Sequence, residues 1–205
     1  VKDAPQHHTM GETIRGLLDL FDIPFSVLTP DEANLTEKVE KARRHCASMS
    51  LPYAFLIKRG TFSPVEGTPP SEPDSLSHRH EYIRALYSLT GEEAMLLGAT
   101  GYCGRELHQL VEGSNKFCMM GSMGCLASVG LAVAMEHPDK RVYVLDGDGA
   151  LLMKMGTLST VGYHGPDNLV HICFDNAAYE STGGQPTTSS TTDFAAIANA
   201  CGYPS

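Results

Sequence analysis

The sequence lacks a long apolar run, an excess of basic residues and closely paired cysteines. No apolar stretch approaches membrane-spanning length, and no signal-peptide pattern is present. Acidic residues outnumber basic ones by 24 to 15, and the formal net charge of −9 argues against nucleic acid or an anionic membrane as a main partner. The six cysteines include no CxxC pair, which indicates reduced, buried thiols of a cytoplasmic protein and not a disulfide or zinc framework.

The composition that remains is that of a globular protein. Hydrophobic residues make up 42% of the chain, enough for a core, and 205 residues allow one large domain or two small ones. The chain begins without methionine and stops just after an alanine-rich helical pattern. We therefore expect both ends to cut through a larger fold, so that the sequence is a piece of a longer enzyme.

Two short hydrophobic runs dominate the second half of the chain. Val142–Leu145 and Leu169–Phe174 are each followed at once by polar turn residues, which is typical of buried parallel strands. Between them, Leu151, Met155 and Leu158 recur at helical spacing and predict one crossover helix. The pattern therefore predicts a βαβ unit with functional loops at the carboxyl ends of its strands.

The loops after these strands carry oxygen ligands. Asp148 follows the first strand and Asn176 the second, and neighbouring strand ends in a parallel sheet lie side by side. A carboxylate, an amide oxygen and a free backbone carbonyl, completed by phosphate oxygens, are how Mg²⁺ is usually held. Gly147 and Gly149 would let the backbone approach a pyrophosphate, and the helix from Ala150 would supply N–H donors. A tight turn of an ordinary α/β protein is the alternative.

The first part of the chain predicts fewer elements than a whole domain. We expect a polar loop at residues 4–11, then a helix to Phe21, and a strand at Phe25–Leu28. A helix opened by Thr29 as N-cap should run to about Met49, before a second strand at residues 53–57. Residues 63–80 hold four prolines and predict an extended linker, followed by a helix over residues 81–89.

Two further loops of the second part suggest ligand contacts. Thr100, Gly101 and Tyr102 follow a strand predicted at residues 94–99 and could present hydroxyl and N–H donors to a phosphate. Met123 lies in a Gly-Ser-Met-Gly turn and could equally be a core residue. The Ser/Thr-rich stretch beyond Tyr179 predicts either a mobile polar loop or a loop that closes over an anionic substrate.

Several motifs together resemble those of thiamine diphosphate-dependent 2-oxo acid decarboxylases. They are GSMGCLAS, LDGDGALLMKMG, DNAAYESTGGQPT and, near the amino terminus, HHTMG. The family signature is a GDG followed two dozen or more residues later by Asn-Asn, and this chain departs from it only in having Asp175 as the first of the pair. The resemblance implies two three-layer parallel-sheet α/β domains of the thiamine diphosphate-binding type, the first present only as its carboxyl-terminal part.

The resemblance also implies domain limits and site residues. Residues 1–62 would be the end of a pyrimidine-binding domain, 63–80 a linker, and 81–205 a diphosphate- and Mg²⁺-binding domain that lacks its carboxyl-terminal end. Met123 would support the cofactor between its rings. The implied metal ligands are Asp148, Asn176 and Ala178, and the implied catalytic residues are His7, His8 and Glu180. The implied cofactor contacts are Thr100, Gly101, Tyr102, Gly121, Ser122, Met123, Gly147, Asp148, Gly149, Ala150, Asn176, Ala178, Tyr179 and Ser181.

The activity implied by the resemblance is cleavage of a small anionic 2-oxo acid with thiamine diphosphate and Mg²⁺. The expected substrate is 3-phosphonopyruvate, which would give phosphonoacetaldehyde and CO₂ in phosphonate and antibiotic biosynthesis, with sulfopyruvate or another 2-oxo acid as the alternative. Candidate phosphonate contacts are Ser181, Thr182, Gln185, Lys154 and the histidines. A homodimer or larger homo-oligomer is expected, because the family's activating glutamate, expected upstream of Val1, would come from a second subunit. A non-catalytic phosphate- or nucleotide-binding α/β module is the alternative of another class.

Overall fold

The structure is a computed structural model that describes residues 5–63 and 78–204. These residues form two compact units, one on each side of residues 64–77. Most of the predicted linker lies outside the described residues, and the predicted domain limits stay predictions. No helix in the described part of the chain is both long and apolar enough to cross a membrane.

The amino-terminal unit is built around a pair of parallel strands. Its elements are α1 (Pro5–Leu20), β1 (Phe25–Leu28), α2 (Leu35–Met49) and β2 (Ala54–Ile57). The strands pair in register from Phe25 opposite Ala54 to Leu28 opposite Ile57. This parallel pairing needs a crossover, and α2 supplies it. Leu28 and Ala42 are the buried apolar side chains of this small sheet and its helix.

Two helix starts differ from the sequence prediction in this unit. The polar loop expected at residues 4–11 was wrong, because α1 already begins at Pro5; proline suits the first helical turn, where its missing N–H would have no partner. The helix expected to open at Thr29 begins only at Leu35. The Thr29 carbonyl instead accepts a hydrogen bond from the Glu32 N–H in a turn, and Glu32 pairs with Lys38 at 2.5 Å.

The carboxyl-terminal unit contains a four-stranded parallel sheet in the order β4-β3-β5-β6. Its sheet and first helices are α3 (Arg79–Thr90), β3 (Met95–Gly98), α4 (Tyr102–Leu110), β4 (Lys116–Cys118), α5 (Leu126–Glu136), β5 (Val142–Gly147), α6 (Asp148–Met153), α7 (Thr157–His164) and β6 (Leu169–Phe174). A short antiparallel hairpin, a 3₁₀ turn and a last helix follow as β7 (Ala178–Tyr179), β8 (Gln185–Pro186), Ser189–Thr191 and α8 (Phe194–Ala200).

Both faces of this sheet are covered, which gives the predicted three-layer arrangement. Successive residues of β5 point to opposite faces, so that Val142 and Val144 pack in a core with α5, whereas Leu145 packs in a second core with α3 and α4. α5 approaches the sheet closely at Gly130, where an added Cβ would lie 2.2 Å from Val144 Cγ2. The α/β parallel-sheet fold expected from the sequence is confirmed in this unit.

Three local expectations need correction here. α3 begins at Arg79 and not at residue 81, because Glu81 and His78 form a reciprocal capping box that starts the helix inside the predicted linker. The single crossover helix is split into α6 and α7, with Lys154 taking a non-helical backbone conformation between them. Cys46 is exposed and therefore is not a buried thiol, whereas Cys103 is buried.

Candidate functional site

A cleft opens at the carboxyl ends of β3, β5 and β6. The sheet register brings these ends together, since Gly98 lies opposite Leu145 and Gly147 lies opposite Phe174. The lining residues are Arg79, Thr100, Tyr102, Cys103, Met123, Gly147, Asp148, Gly149, Ala150, Phe174, Asn176, Ala178, Tyr179, Glu180, Ser181 and Thr182. The carboxyl edge of the parallel sheet thus carries the charged and polar side chains that line the cleft, as expected for a ligand site in an α/β fold.

Asp148 is the buried carboxylate of the cleft, with 3% of its surface exposed. Burial raises the pKa of Asp148 above its ordinary value, and the nearby charge of Asp175 acts in the same direction. Opposing this, the Thr187 hydroxyl donates a 2.6 Å hydrogen bond to Oδ2, and backbone hydrogen bonds at Asp148 and Gly149 also lower the pKa. A buried carboxylate of this kind favours a bound cation.

Asn176 stands at the end of β6 with its side-chain amide held at both ends. Its Oδ1 accepts a 3.1 Å hydrogen bond from the Ala178 N–H, and its Nδ2 donates to Glu180 Oε2 at 3.1 Å. Asp175 makes the preceding turn, because its Oδ1 accepts from the N–H of Ala177, which has a left-handed backbone with φ of 56°. Asp175 therefore shapes the loop.

Met123 reaches the same cleft from the turn between β4 and α5. Gly124 in this turn has φ of +84°, and a Cβ there would lie 2.6 Å from the Ala150 carbonyl oxygen. Gly149 meets the turn from the other side, since a Cβ there would lie 3.4 Å from Met123 Cε and 2.4 Å from Tyr179 Cε1. Only glycine allows this close packing of Met123 and Tyr179 on the loop after β5.

Thr100 and Gly101 connect the loop after β3 to its neighbours. The Thr100 hydroxyl donates to the carbonyl oxygens of Met119 and Gly121, which fixes the start of the turn that carries Met123. Gly101 has φ of +108°, and a Cβ there would lie 3.0 Å from Ser181 Oγ. The Thr100 hydroxyl is thus used as a donor within the fold.

Arg79 is a cleft residue that the sequence analysis missed. Its guanidinium forms a two-point ion pair with Glu106, lies 3.4 Å from Glu180 Oε2 and sits 5.7 Å from the centre of the Tyr102 ring. Arg79 fell inside the Pro-rich stretch assigned to a linker. The His78-to-Glu81 capping spacing was the signal that could have placed it on a helix.

Behind the cleft lies a buried polar pair that sequence reasoning also missed. Asp146 is fully buried, its Oδ1 accepts from the Gly147 N–H, and its Oδ2 lies 3.4 Å from His171 Nε2. His171 Nδ1 lies 3.2 Å from the Tyr203 hydroxyl, and burial raises the pKa of Tyr203 to about 12. Tyr203 therefore keeps its proton and can donate to Nδ1, while the His171 Nε2–H faces Asp146.

Cys103 and Cys173 also belong to this region but not as nucleophiles. Burial raises the pKa of each thiol to about 12, and the negative charge of Asp146 adds to the shift in both. Neutral thiols are poor nucleophiles and poor metal ligands. The lining residue Cys103 therefore contributes packing to the cleft, not covalent chemistry.

The structure brings most of the predicted site residues together. Those that line the cleft are Thr100, Tyr102, Met123, Gly147, Asp148, Gly149, Ala150, Asn176, Ala178, Tyr179, Glu180 and Ser181. Gly101 touches Ser181, and Gly121 and Ser122 belong to the Met123 turn without lining the cleft. His8 is exposed on α1 in the other unit, and the side chain of His7 lies outside the described residues. The histidines therefore stay predictions.

The polar stretch beyond Tyr179 contains a short hairpin strand and a 3₁₀ turn. β7 and β8 form a hairpin, and Thr187 and Ser189 after it are buried. The Thr187 N–H donates to the Ala177 carbonyl at 2.9 Å. Thr187 and Ser189 are therefore interior residues of the fold, whereas mobility of the exposed part of this stretch and its closure over a substrate stay predictions.

The chemistry of the cleft fits a metal–diphosphate group. Asp148, Asn176 and the backbone at Ala178 supply hard oxygen atoms on one rim. Among the described residues that line the cleft, Arg79 is the only cation, and Glu106 already engages it. Asp148 and Glu180 make the lining acidic, so a bare diphosphate would be repelled. A divalent cation held by these oxygen atoms would offset that repulsion.

A comparison with protein families identifies the fold and the cofactor class. Residues 99–205 match the thiamine pyrophosphate enzyme family through its C-terminal TPP binding domain, which is about half of the chain and contains nearly all of the cleft. The chain belongs to the thiamine pyrophosphate enzymes. The resemblance stated from the sequence motifs is therefore confirmed at the level of the family, as is the expectation of a thiamine diphosphate-binding domain.

Individual relatives of this thiamine pyrophosphate enzyme carry decarboxylase names. The chain is 41% identical over 217 residues to a phosphonopyruvate decarboxylase of Streptomyces viridochromogenes, covering 98% of this chain and 54% of that protein. It is 40% identical over 125 residues to the sulfopyruvate decarboxylase subunit beta of Methanocaldococcus jannaschii, covering 60% and 66%. The chain thus spans about half the length of the phosphonopyruvate decarboxylase that it matches.

A solved structure supports the same fold. A putative thiamin diphosphate-dependent enzyme from Mycobacterium smegmatis aligns with a TM-score of 0.51 at 15% identity, covering 78% of this chain and 36% of that one. At this identity the match concerns the fold alone.

Proposed function

We propose that this thiamine pyrophosphate enzyme decarboxylates 3-phosphonopyruvate to phosphonoacetaldehyde and CO₂ with thiamine diphosphate and Mg²⁺. The observation that carries the cofactor part is the convergence of Asp148, Asn176 and Ala178 with Met123 on one cleft. The substrate part rests on the 41% identity, over nearly the whole chain, to a protein named phosphonopyruvate decarboxylase.

The residues of this chain have separate tasks in the proposed reaction. Asp148, the Asn176 amide oxygen and the Ala178 carbonyl would hold Mg²⁺, and Met123 would support the cofactor from the side of the β4–α5 turn. When bound, thiamine diphosphate supplies the electron sink for the loss of CO₂. Glu180 lies at the mouth of the cleft with an exposed carboxylate and is the candidate for moving a proton to or from the substrate carbon.

The anionic end of the substrate would meet donors beyond the metal site. Ser181 and Thr182 line the cleft next to Glu180 and are the first candidates for phosphonate contacts, whereas Gln185 and Lys154 are outside the lining. His7 and His8 stay candidates for substrate orientation. The working enzyme would be a homodimer or larger homo-oligomer of the cytoplasm, with its site between subunits and a role in phosphonate and antibiotic biosynthesis.

Sulfopyruvate is the second candidate substrate. The sulfopyruvate decarboxylase subunit beta of Methanocaldococcus jannaschii is 40% identical over 60% of this chain, close to the 41% identity that the phosphonopyruvate relative shows over 98% of it. A sulfonate carries one negative charge less than a phosphonate dianion, so the two substrates place different demands on the same donors.

The test compares three substrates with the full-length protein. CO₂ release from phosphonopyruvate, sulfopyruvate and pyruvate would be measured with and without Mg²⁺ and thiamine diphosphate. We expect the highest kcat/KM for phosphonopyruvate and a complete requirement for both cofactors. Preference for sulfopyruvate or pyruvate would overturn the substrate assignment. Binding of a nucleotide or phosphate with no decarboxylation would favour the non-catalytic alternative.

A further inference from the structure

The side chain of Thr187 makes a short buried contact with Asp148 across 39 positions of sequence. Thr187 Oγ1 donates to Asp148 Oδ2 at 2.6 Å, and the two residues expose only 8% and 3% of their surface. A short hydrogen bond to a charged acceptor is stronger than a neutral one. This contact therefore constrains the orientation of the Asp148 carboxylate more tightly than packing would.

Neighbouring groups fix which way the Thr187 proton points. The Ser189 N–H donates to Thr187 Oγ1 at 3.3 Å, and Ser189 Oγ, at 3.1 Å, is a second acceptor within reach of the Thr187 hydroxyl. A hydroxyl has one proton and two acceptor positions. The contact with Asp148 Oδ2 is the shorter of the two, at 2.6 Å against 3.1 Å, and a charged carboxylate is the stronger acceptor, so the proton of Thr187 is directed at Asp148.

The backbone of Thr187 contacts the loop that carries the other two proposed metal ligands. Its N–H donates to the Ala177 carbonyl at 2.9 Å, directly between Asn176 and Ala178. The β7–β8 hairpin, which pairs Ala178 with Pro186, closes the loop between these two points. One residue thus connects the carboxylate after β5 with the loop after β6.

We propose that Thr187 is a positioning residue for the metal site, which holds the Asp148 carboxylate in register with the Asn176–Ala178 loop so that both reach one divalent cation. This inference rests on the proposed function. Thr187 would not touch the cation itself. Residues that orient a metal ligand in this way commonly change metal affinity about 10- to 100-fold when they are removed.

The test measures Mg²⁺ binding directly and does not depend on turnover. Full-length wild type, Thr187→Val and Thr187→Ser would be titrated with Mg²⁺ in the presence of thiamine diphosphate by isothermal titration calorimetry. Valine keeps the shape but removes the hydroxyl, and we expect its Kd for Mg²⁺ to rise about 10- to 100-fold. Serine keeps the hydroxyl and should bind Mg²⁺ like wild type.

A matched control comes from the same Ser/Thr-rich stretch. The Thr192 hydroxyl donates to the Thr188 carbonyl in an exposed turn, so Thr192→Val removes a hydroxyl that bonds within its own turn and not to Asp148, and it should leave the Kd unchanged. Saturating Mg²⁺ should restore the kcat of Thr187→Val, because positioning affects metal affinity first. Should Thr187→Val fail to fold, Thr187→Cys, with its weaker donor, should show an intermediate Kd.

Distinct outcomes separate this inference from the proposed function. Equal Mg²⁺ affinity in wild type and Thr187→Val, or the same loss in Thr187→Ser as in Thr187→Val, would overturn the positioning role while leaving the decarboxylase proposal intact. Absence of Mg²⁺-dependent thiamine diphosphate binding in wild type would overturn both.

Discussion

Asn176 donates a 3.1 Å hydrogen bond from its side-chain amide to the Glu180 carboxylate, four residues further along the chain. Arg79 lies 3.4 Å from the same carboxylate oxygen. Glu180 therefore has two separable properties, because it orients a proposed metal ligand and also carries a charge at the mouth of the cleft. A substitution that keeps the first property and removes the second distinguishes them.

Replacing Glu180 by glutamine keeps an oxygen that accepts from Asn176 but removes the proton-accepting carboxylate. If Glu180 moves a proton, kcat of Glu180→Gln should fall about 100-fold or more while Mg²⁺ affinity stays near wild type. Glu180→Ala should lose both kcat and Mg²⁺ affinity, since the Asn176 amide is no longer held. Steady-state kinetics and Mg²⁺ titration of the full-length protein measure these effects.

Glu93 supplies the control for this comparison. It is exposed between α3 and β3, and Glu93→Gln makes the same charge change outside the cleft, so its kinetics should match wild type. An unchanged kcat in Glu180→Gln would remove Glu180 from the proton-transfer step and leave it only an orienting role.

The close approach of Tyr179 and Met123 to Gly149 makes this glycine a sensitive position. In Gly149→Ala the new Cβ would start 2.4 Å from the Tyr179 ring, which must move and take the cleft wall with it. We expect Kd for thiamine diphosphate to rise at least about tenfold, with a loss of stability of about 1–3 kcal/mol. Gly156→Ala is the matched control, because a Cβ at Gly156 meets nothing within 4 Å.

Calorimetric titration of both variants with thiamine diphosphate at saturating Mg²⁺ measures the two Kd values and tests this prediction. Wild-type affinity in Gly149→Ala would mean that Tyr179 and Met123 do not shape the cofactor site.

Much of this cleft could be predicted because its signals are local. Short buried strands followed by glycine and polar turn residues mark Gly147–Gly149 and Asn176 in the sequence itself. Adjacent parallel strand ends then bring these residues together by topology alone. No side-chain contact had to be known.

Thr187 and Arg79 could not be found in this way. A Ser/Thr-rich run predicts a solvated loop, and only the buried acceptor on Asp148, 39 positions away, turns Thr187 into an interior residue. Arg79 follows a Pro-rich segment, and its ion pair with Glu106 depends on how α3 packs beside α4. The missing information in both cases is tertiary, because the partner lies on a different element.

The buried charge of Asp148 predicts a conflict between stability and function. Its pKa in the folded protein is raised above the ordinary value of 3.8, so the folded state binds the proton more tightly than the unfolded state does. The stabilisation that this tighter proton binding gives the folded state is fully present below pH 3.8 and is lost as the pH rises through the raised pKa of the folded protein. At neutral pH the ionised carboxylate therefore destabilises the metal-free protein.

Asp148→Asn should consequently unfold at higher denaturant concentration than wild type at pH 7 without Mg²⁺, and the difference should shrink at acidic pH. The same variant should lose Mg²⁺-dependent thiamine diphosphate binding, since an amide is a weaker ligand for Mg²⁺ than a carboxylate. Denaturant titrations at several pH values, with and without both cofactors, measure this. A metal-free Asp148→Asn that is less stable than wild type at pH 7 would contradict the argument.

His171 is expected to stabilise the fold through the fully buried Asp146. In His171→Ala, the Asp146 oxygen that faced Nε2 would stay buried with its partner removed, and the Tyr203 hydroxyl would lose its acceptor. Leaving such groups unpaired costs about 1–3 kcal/mol each, so the free energy of unfolding should fall by about 2 kcal/mol or more. His137→Ala, which truncates an exposed histidine after α5, should change it by less than about 0.5 kcal/mol. The difference in unfolding free energy between the two variants should also be seen in full-length protein without cofactors, because the Asp146–His171 pair lies behind the cleft. Equal denaturant midpoints for the two variants would show that His171 does not stabilise the fold through Asp146.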